Sequence, residues 1–452
     1  MTLHAFLSIT LAGVLFTAPA AHAADTPTDP CVARSAASLD ALVRGDYAGA
    51  RKDFNAAVSQ AVSVATLEQV WTQIQSQAGA YQKHAEPQQQ SMDGHAVVVT
   101  PVSFARMPLN FVVACDDDGR ISTFRFVPVE AMARRAVPPP VAAHTRADGV
   151  HVQPLAVTSP PGPLQGVLTL PAGKGPFPAV LLVAGSGPQD RDETIGPNKP
   201  FRDIADGLAA AGIASLRYDK RTRDYGAQMA GKAITVDDEV TDDALSALRK
   251  LGRQPHIDAR RLFVLGHSLG ALMAPRIGKR DAHLAGLILL ASPPSFGLDT
   301  IVRQTRYIGH LKGTPAAELD KATAPIIEAR DELAHADPAE PPEGSFFHAP
   351  ASYWLSLRDY NAVTVAKTLP MPMLVLQGSG DYQVTPKDDF VHWQQAFAHS
   401  QRVRLKEYPG LGHLFMPAGQ PPSPADYDKP GHVDEQVIRD IAAWVEAQPP
   451  HS

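Results

Sequence analysis

The sequence predicts an α/β protein: a doubly wound, mostly parallel sheet carrying a helical cap, preceded by a small α+β domain. Three observations predict it. Past about Leu164, short apolar runs alternate with amphipathic helical stretches, the pattern of a parallel sheet with helices on both faces. One of those runs, Leu262 to Leu265, leads straight into Gly266-His267-Ser268-Leu269-Gly270, a turn tight enough to need glycine on either side of its serine. A proline-rich break, 134–146, divides this region from a first segment of different character.

Composition bounds the function. With 452 residues, 44% of them hydrophobic, the chain can bury a large core in more than one unit. A formal charge of -6, with no basic stripe, argues against nucleic acid as a partner. Ala5 to Ala18 is almost wholly apolar and Ala21-His22-Ala23 has the small-x-small form read by a signal peptidase, so 1–23 is expected to be a signal peptide and the mature protein periplasmic or secreted. No other run approaches membrane-spanning length. Cys31 and Cys115 are the only two cysteines; in an oxidising compartment they can pair, the alternative being two buried free thiols.

The first domain is expected over 24–133. Cys31 to about Pro87 reads as helical, with Leu67, Val70, Trp71 and Ile74 on one face and Thr66 with Gln69 as a capping box. After Gly94 the pattern turns to strands at Val97 to Val99, Phe111 to Val113 and Ile121 to Phe126, the last two joined by Asp116-Asp117-Asp118-Gly119. In the second domain, 147–449, strands are expected at Ala179 to Val183, Ala214 to Arg217, Leu262 to Leu265, Leu287 to Leu290, Met373 to Leu376 and Val403 to Leu405. Helices are expected at Phe201 to Ala211 and through Val240, Ala244, Leu248 and Leu251. Between two of the strands, about 293–369, lies a mostly helical insertion too long for an ordinary connection, read as a cap. Its Phe346, Phe347, Tyr353, Trp354 and Tyr360 either line a substrate pocket or pack the cap onto the core.

A serine hydroxyl attacks an acyl carbon only when a base removes its proton and a third group orients that base. Ser268 is the candidate nucleophile. Asp381, in the loop after Met373 to Leu376, is the candidate acid, and His413, in Pro409-Gly410-Leu411-Gly412-His413, the candidate base. Asp388 and Asp389, in the helix after Pro386, read as solvated surface; His392, His399 and His432 are weaker bases, and His267 reads as a support for the elbow. The oxyanion donors are expected at the backbone N–H of Leu269 and of Ser186, with Gly187 the alternative, in the glycine-rich loop after Ala179 to Val183. Arg217-Tyr218-Asp219-Lys220-Arg221 either contacts substrate or braces neighbouring loops by ion pairs. No metal-ligand spacing and no cofactor motif is present, so neither metal nor cofactor is expected.

Four stretches resemble a known family, the secreted bacterial serine carboxylesterases of the EstD type. These are Gly185-Ser186-Gly187-Pro188-Gln189-Asp190-Arg191-Asp192-Glu193, the segment Arg217 to Thr222, Gly266 to Gly270, and Gln377-Gly378 with Asp381 to Thr385 followed by Tyr408 to Phe415. The resemblance covers about Leu164 to Met416 and is looser before it. It implies an α/β-hydrolase fold behind a small N-terminal domain, hydrolysis of small-molecule short-chain esters through an acyl-enzyme, and Ser268, Asp381 and His413 as the triad. The chain departs from the family pattern at Ala184, where histidine is frequent, and at Gly412, where asparagine is frequent. The same triad also suits a thioesterase, an amidase or peptidase, or an acyltransferase. From another class, the chain is readable as a cell-wall or carbohydrate-binding protein with an inert hydrolase fold.

Overall fold

The computed structural model describes residues 29–92, 95–129, 141–229, 231–346 and 349–451. The expected signal peptide, linker residues 134–140 and Phe347 lie outside the described residues. The chain divides into two compact units after Val129.

In the first unit four helices, Pro30–Val43, Tyr47–Ala50, Ala56–Ala61 and Val64–Ala78, precede strands β1 Tyr81–His84, β2 Gln88–Met92, β3 His95–Phe104, β4 Leu109–Cys115 and β5 Ile121–Pro128. The sheet is antiparallel in the order β1-β3-β4-β5, with β2 also on β3. Its core joins Leu39, Leu42, Leu67 and Trp71 to Phe104, Phe111 and Ile121. Two expectations are corrected here. The long helix starts a turn earlier than Thr66, capped by Ser63, whose side chain accepts from the Thr66 N–H. It also ends at Ala78 rather than near Pro87, because Gly79 turns the chain at φ +90 into β1 and β2. Strand β2 escaped detection because Gln88 to Gln90 are polar and exposed, with no alternation to betray them. Cys31 and Cys115, 84 residues apart, are joined by a disulfide.

The second unit is built on a nine-stranded sheet: β6 His144–Thr145, β7 His151–Pro154, β8 Gly166–Leu170, β9 Phe177–Val183, β10 Ala214–Tyr218, β11 Ile257–His267, β12 Gly286–Leu290, β15 Met373–Gly378 and β16 Val403–Tyr408, with a small hairpin of β13 Ser345–Phe346 and β14 Ala349–Pro350 apart from it. The order is β16-β15-β12-β11-β9-β10-β8-β7-β6. From β16 to β10 neighbours are parallel, and β8, β7 and β6 add an antiparallel edge. The strand β6 corrects the expected linker end at 146, since His144 and Thr145 pair with Val152 and His151 and so belong to the sheet.

Alternate residues of the central strands enter different cores, which is why these strands read as continuous apolar runs. Leu181, Val183 and Val264 face a layer with the helices Asp242–Leu251 and Leu269–Arg280. Val180, Leu182, Phe263 and Leu265 face a layer with the helices Pro200–Ala210 and Glu435–Glu446. The chain leaves β9 for β10 on one side and later returns to β11 on the other, so a crevice opens beyond the carboxyl ends of β9 and β11. Between β12 and β15 the insertion is mostly helical, with Leu298–Leu311, Ala316–His335, Ala351–Arg358 and Ala362–Lys367. No helix among the described residues is long and apolar enough to cross a membrane.

Candidate active site

Ser268 occupies a strained turn between β11 and the helix Leu269–Arg280, with φ 53 and ψ -116. A non-glycine residue accepts that conformation only where the surroundings over-determine it. They do so here: a Cβ on Gly266 would lie 2.2 Å from Gly270 O, and one on Gly270 would lie 2.0 Å from Val183 O. The Ser268 N–H donates to Leu290 O on β12 at 2.9 Å, and the residue is half-buried at the carboxyl end of the sheet. Leu269 begins the helix, so its N–H has no carbonyl partner within the helix and lies at the positive end of the helix dipole.

Asp381 and His413 follow β15 and β16, adjacent parallel strands, and both are buried. His413 Nδ1 donates to Asp381 Oδ2 at 2.7 Å. The other carboxylate oxygen, Oδ1, accepts from the backbone N–H groups of Gln383 at 2.8 Å and Val384 at 3.0 Å, while Gln377 Nε2 donates to Oδ2 at 3.3 Å. A histidine donating through Nδ1 to a carboxylate keeps Nε2 as a proton acceptor, the tautomer a general base needs. The competing acid Asp389 is not solvated surface, as its sequence context suggests, but buried against Arg303 at 2.6 Å and the Thr385 N–H at 2.7 Å. It lies on a π-helical turn, Pro386–Phe390, and the wider turn carries it inward. His432 sits exposed on Asp203.

The glycine-rich loop after β9 meets the elbow because Val183 and Gly266 are register partners. A Cβ on Gly185 would stand 3.2 Å from Ser268 Cβ. The Gly185 N–H donates to Glu193 Oε1 at 2.6 Å and is thereby engaged, while Ser186 and Gly187, the two candidate oxyanion donors of this loop, are exposed.

Three residues of segment 217–221, Arg217, Asp219 and Lys220, brace that loop. Arg217 pairs with Asp192 at 2.8 Å, Asp219 takes a bidentate contact and a backbone N–H from Arg191, and Lys220 Nζ donates to Gly185 O at 2.9 Å. Arg221 is bidentate on Asp243, at 2.6 and 2.7 Å. Burial pushes the Asp192 carboxyl up, but Arg217, Arg202 and Lys199 outweigh it and hold the group below its ordinary range. Arg217, Asp219 and Lys220 thus form the ion pairs and hydrogen bonds of the bracing alternative.

His267, expected from the sequence to support the elbow, is held at both ring nitrogens. His267 Nδ1 is 2.9 Å from Glu193 Oε1 and its Nε2 is 2.9 Å from the backbone oxygen of His413. With Glu193 ionised both partners are acceptors and both ring nitrogens donate, the hydrogen-bond pattern of an imidazolium. Burial alone would pull its pKa down; Glu193, the His413 carbonyl and Asp381 overcome that and raise it. Glu193 stood in the quoted loop motif without a role, and its partner is 74 positions away. Only a carboxylate in a loop beside a histidine-bearing elbow hinted at the pair.

The cap aromatics mostly pack. Tyr353 and Trp354 are buried, with Tyr353 OH on Glu239 at 2.7 Å and Trp354 Nε1 on Phe346 O at 2.6 Å, and Tyr360 OH donates to Leu272 O at 2.9 Å. A cavity of about 860 Å3, lined by residues including Thr222, Met229, Lys232, Ile234 and Pro341, touches none of Ser268, Asp381 and His413. A much smaller one, about 20 Å3, is lined by His413 with Tyr382, Met416 and Tyr427. Among the described residues no group of three or more His, Cys, Asp or Glu is placed to hold a metal ion.

Residues 180–425 match the alpha/beta hydrolase family over more than half of the chain. The chain belongs to that family. Residues 35–124 match a family described as protein of unknown function (DUF3887), so this hydrolase carries a separately recognisable domain ahead of its sheet. It is similar to Esterase EstD of Thermotoga maritima, at 33% identity over 390 residues, 86% of this chain and 89% of the relative. It is also similar to Esterase FrsA of Klebsiella pneumoniae subsp. pneumoniae, at 28% identity over 145 residues, 32% of each chain. Among solved structures, an esterase of Pyrococcus furiosus aligns over 69% of this chain and 97% of its own, at 16% identity and a TM-score of 0.43.

Proposed function

We propose that this hydrolase is a serine carboxylesterase that cleaves short-chain acyl esters through an acyl-enzyme. The observation that carries the reading is the 2.7 Å contact between His413 and Asp381 at the carboxyl end of the sheet that also presents Ser268 on its strained elbow. The likeness to Esterase EstD over 86% of the chain supports it.

In this reading His413 Nε2 takes the Ser268 proton as Oγ bonds to the ester carbon, and the carbonyl electron pair moves onto oxygen. The N–H groups of Leu269 and Ser186 receive that oxyanion. Collapse expels the alcohol, protonated by His413, and water activated by the same histidine then releases the acid. Asp381 holds the neutral imidazole in the accepting tautomer and stabilises the imidazolium that forms between the two proton transfers. Export to an oxidising compartment fits the Cys31–Cys115 disulfide and is part of the proposal.

Purified mature protein is expected to hydrolyse p-nitrophenyl acetate faster than the matched amide or thioester, and to be labelled at Ser268 by a fluorophosphonate. Absence of both turnover and labelling refutes the reading, and a higher rate on the amide or thioester reassigns the substrate class.

A further inference from the structure

Gly185 is held at both ends of its backbone by buried side chains. Its N–H goes to Glu193 Oε1 at 2.6 Å and its carbonyl oxygen accepts from Lys220 Nζ at 2.9 Å. Lys220 is 4% exposed, and a buried ammonium is retained only when it is paired. Its counter-charge is Glu239 Oε1, at 2.9 Å. Glu239 lies on the π-helical turn Asp237–Thr241 and also accepts from Thr222 Oγ1 at 3.1 Å and from Tyr353 OH at 2.7 Å. Tyr353 belongs to the cap helix Ala351–Arg358. Burial and the Glu239 carboxylate push its phenol well above the ordinary value, so it remains a donor. A continuous chain of contacts therefore runs from the cap, through Glu239 and Lys220, to the Gly185 carbonyl.

That carbonyl shares a peptide plane with the Ser186 N–H. In a trans peptide the two point in opposite directions, so whatever anchors the oxygen also aims the N–H. A cation on the oxygen further draws electron density out of the amide and makes the N–H a stronger donor. Neither effect is available from Glu193, which holds the preceding peptide.

We propose that Lys220 is a positioning residue for the oxyanion site: it orients and polarises the Gly185–Ser186 peptide, and Tyr353 of the cap keeps it there by fixing Glu239. The proposal rests on the esterase reading, in which Ser186 supplies one oxyanion donor. Lys220 touches no reacting atom. Its effect falls on the tetrahedral state, where the oxygen carries charge, and not on the bound ester.

The test pairs Lys220→Met with Glu239→Gln, so that no lone charge is left buried and the Tyr353 hydroxyl keeps an acceptor. Removing one oxyanion donor outright costs about 10²–10³ in kcat, so a donor left in place but unaimed is expected to lose about 10–100-fold, with KM within about threefold. A trifluoromethyl ketone of the same acyl chain reports the site directly: Ser268 Oγ bonds to its carbonyl carbon, the carbonyl electron pair goes to oxygen, and the proton goes to His413. Its affinity is expected to fall by the same factor as kcat/KM, while the unfluorinated methyl ketone, which binds without that addition, keeps its affinity. Tyr353→Phe, which removes one hydroxyl and leaves the ring packed, is the second variant and is expected to lower kcat about 2–5-fold at unchanged KM.

Unchanged kcat and unchanged trifluoromethyl ketone affinity in either folded variant overturn the proposal. So does an equal loss for both ketones, which marks general loosening. Wild-type protein that hydrolyses the ester and is labelled at Ser268, yet is indifferent to these changes, refutes this inference alone; wild-type protein that does neither refutes the esterase reading beneath it.

Discussion

Replacing Asp381 by asparagine tests the acid assignment through hydrogen-bond bookkeeping at a single side chain. Oδ1 faces two backbone donors, the N–H groups of Gln383 and Val384, and Oδ2 faces His413 Nδ1 and Gln377 Nε2. An asparagine must choose which side takes its oxygen. Turning the NH2 toward the two backbone N–H groups strands both, at about 1–3 kcal/mol each. Turning it toward His413 disturbs only a histidine that can change tautomer and one glutamine amide, so the NH2 goes there. Gln377 resists flipping to accommodate it, because its Nε2 also donates to Val384 O at 2.8 Å and Gly378 O at 3.1 Å. The new NH2 therefore donates to His413 Nδ1, which moves the ring proton to Nε2 and removes the base.

The expected loss is about 10⁴-fold in kcat, or about 5.5 kcal/mol, the scale seen when a triad histidine is held in the wrong tautomer. Steady-state hydrolysis of p-nitrophenyl acetate, normalised by thermal melts to the folded fraction, measures it. Asp389→Asn serves as comparison and is expected to stay within about threefold of wild type in kcat, since its contacts are to Arg303 and Thr385. If Asp381→Asn keeps more than about a tenth of wild-type kcat, tautomer control by Asp381 is refuted.

Three further outcomes are expected. The raised pKa of His267 means that its stabilising contribution is complete below its ordinary 6.5 and is lost as pH rises through the higher folded value, so the gap in melting temperature between wild type and His267→Gln should narrow toward alkaline pH; a constant or widening gap would show that His267 is not cationic. Burial and the neighbouring Asp219 push Asp224 to about 6 against the opposing Gln165 backbone bond, Arg223 and Arg191, so the folded state loses stability as pH rises from about 4 through 6. Asp224→Asn should then be more stable at pH 8 by about 1 kcal/mol, discounted for the group's partial exposure, with no advantage below pH 4 in denaturant titrations; a less stable variant at pH 8 contradicts this. Replacing Cys31 and Cys115 by serine opens a loop spanning 84 positions and should lower the stability of the first unit by about 2–4 kcal/mol, read as an earlier denaturant midpoint in that unit's transition, and an unchanged midpoint counts against the bridge.

The parallel sheet was legible because burial on both faces leaves a local mark. Strands such as β9 and β12 are uninterrupted apolar runs, and glycine-rich segments follow the strands before Asp381 and His413. Strands β6 to β8 were missed because they form the antiparallel edge, where no strand–helix alternation announces them. Asp389 was misread because a π-helical turn shifts the face a side chain occupies, which an α-helical period does not anticipate.

By itself, then, the sequence determined which residues form the parallel strands of the sheet and which loops after them carry serine, aspartate and histidine, since these depend on period, turn chemistry and chain order. Tertiary structure alone decided what holds those loops still. Glu193 finds His267 across 74 positions, Lys220 finds Gly185 across 35, and Tyr353 finds Glu239 across 114. A buried charge must be matched by whichever partner the packed chain brings to it, and no local pattern in the sequence records that partner.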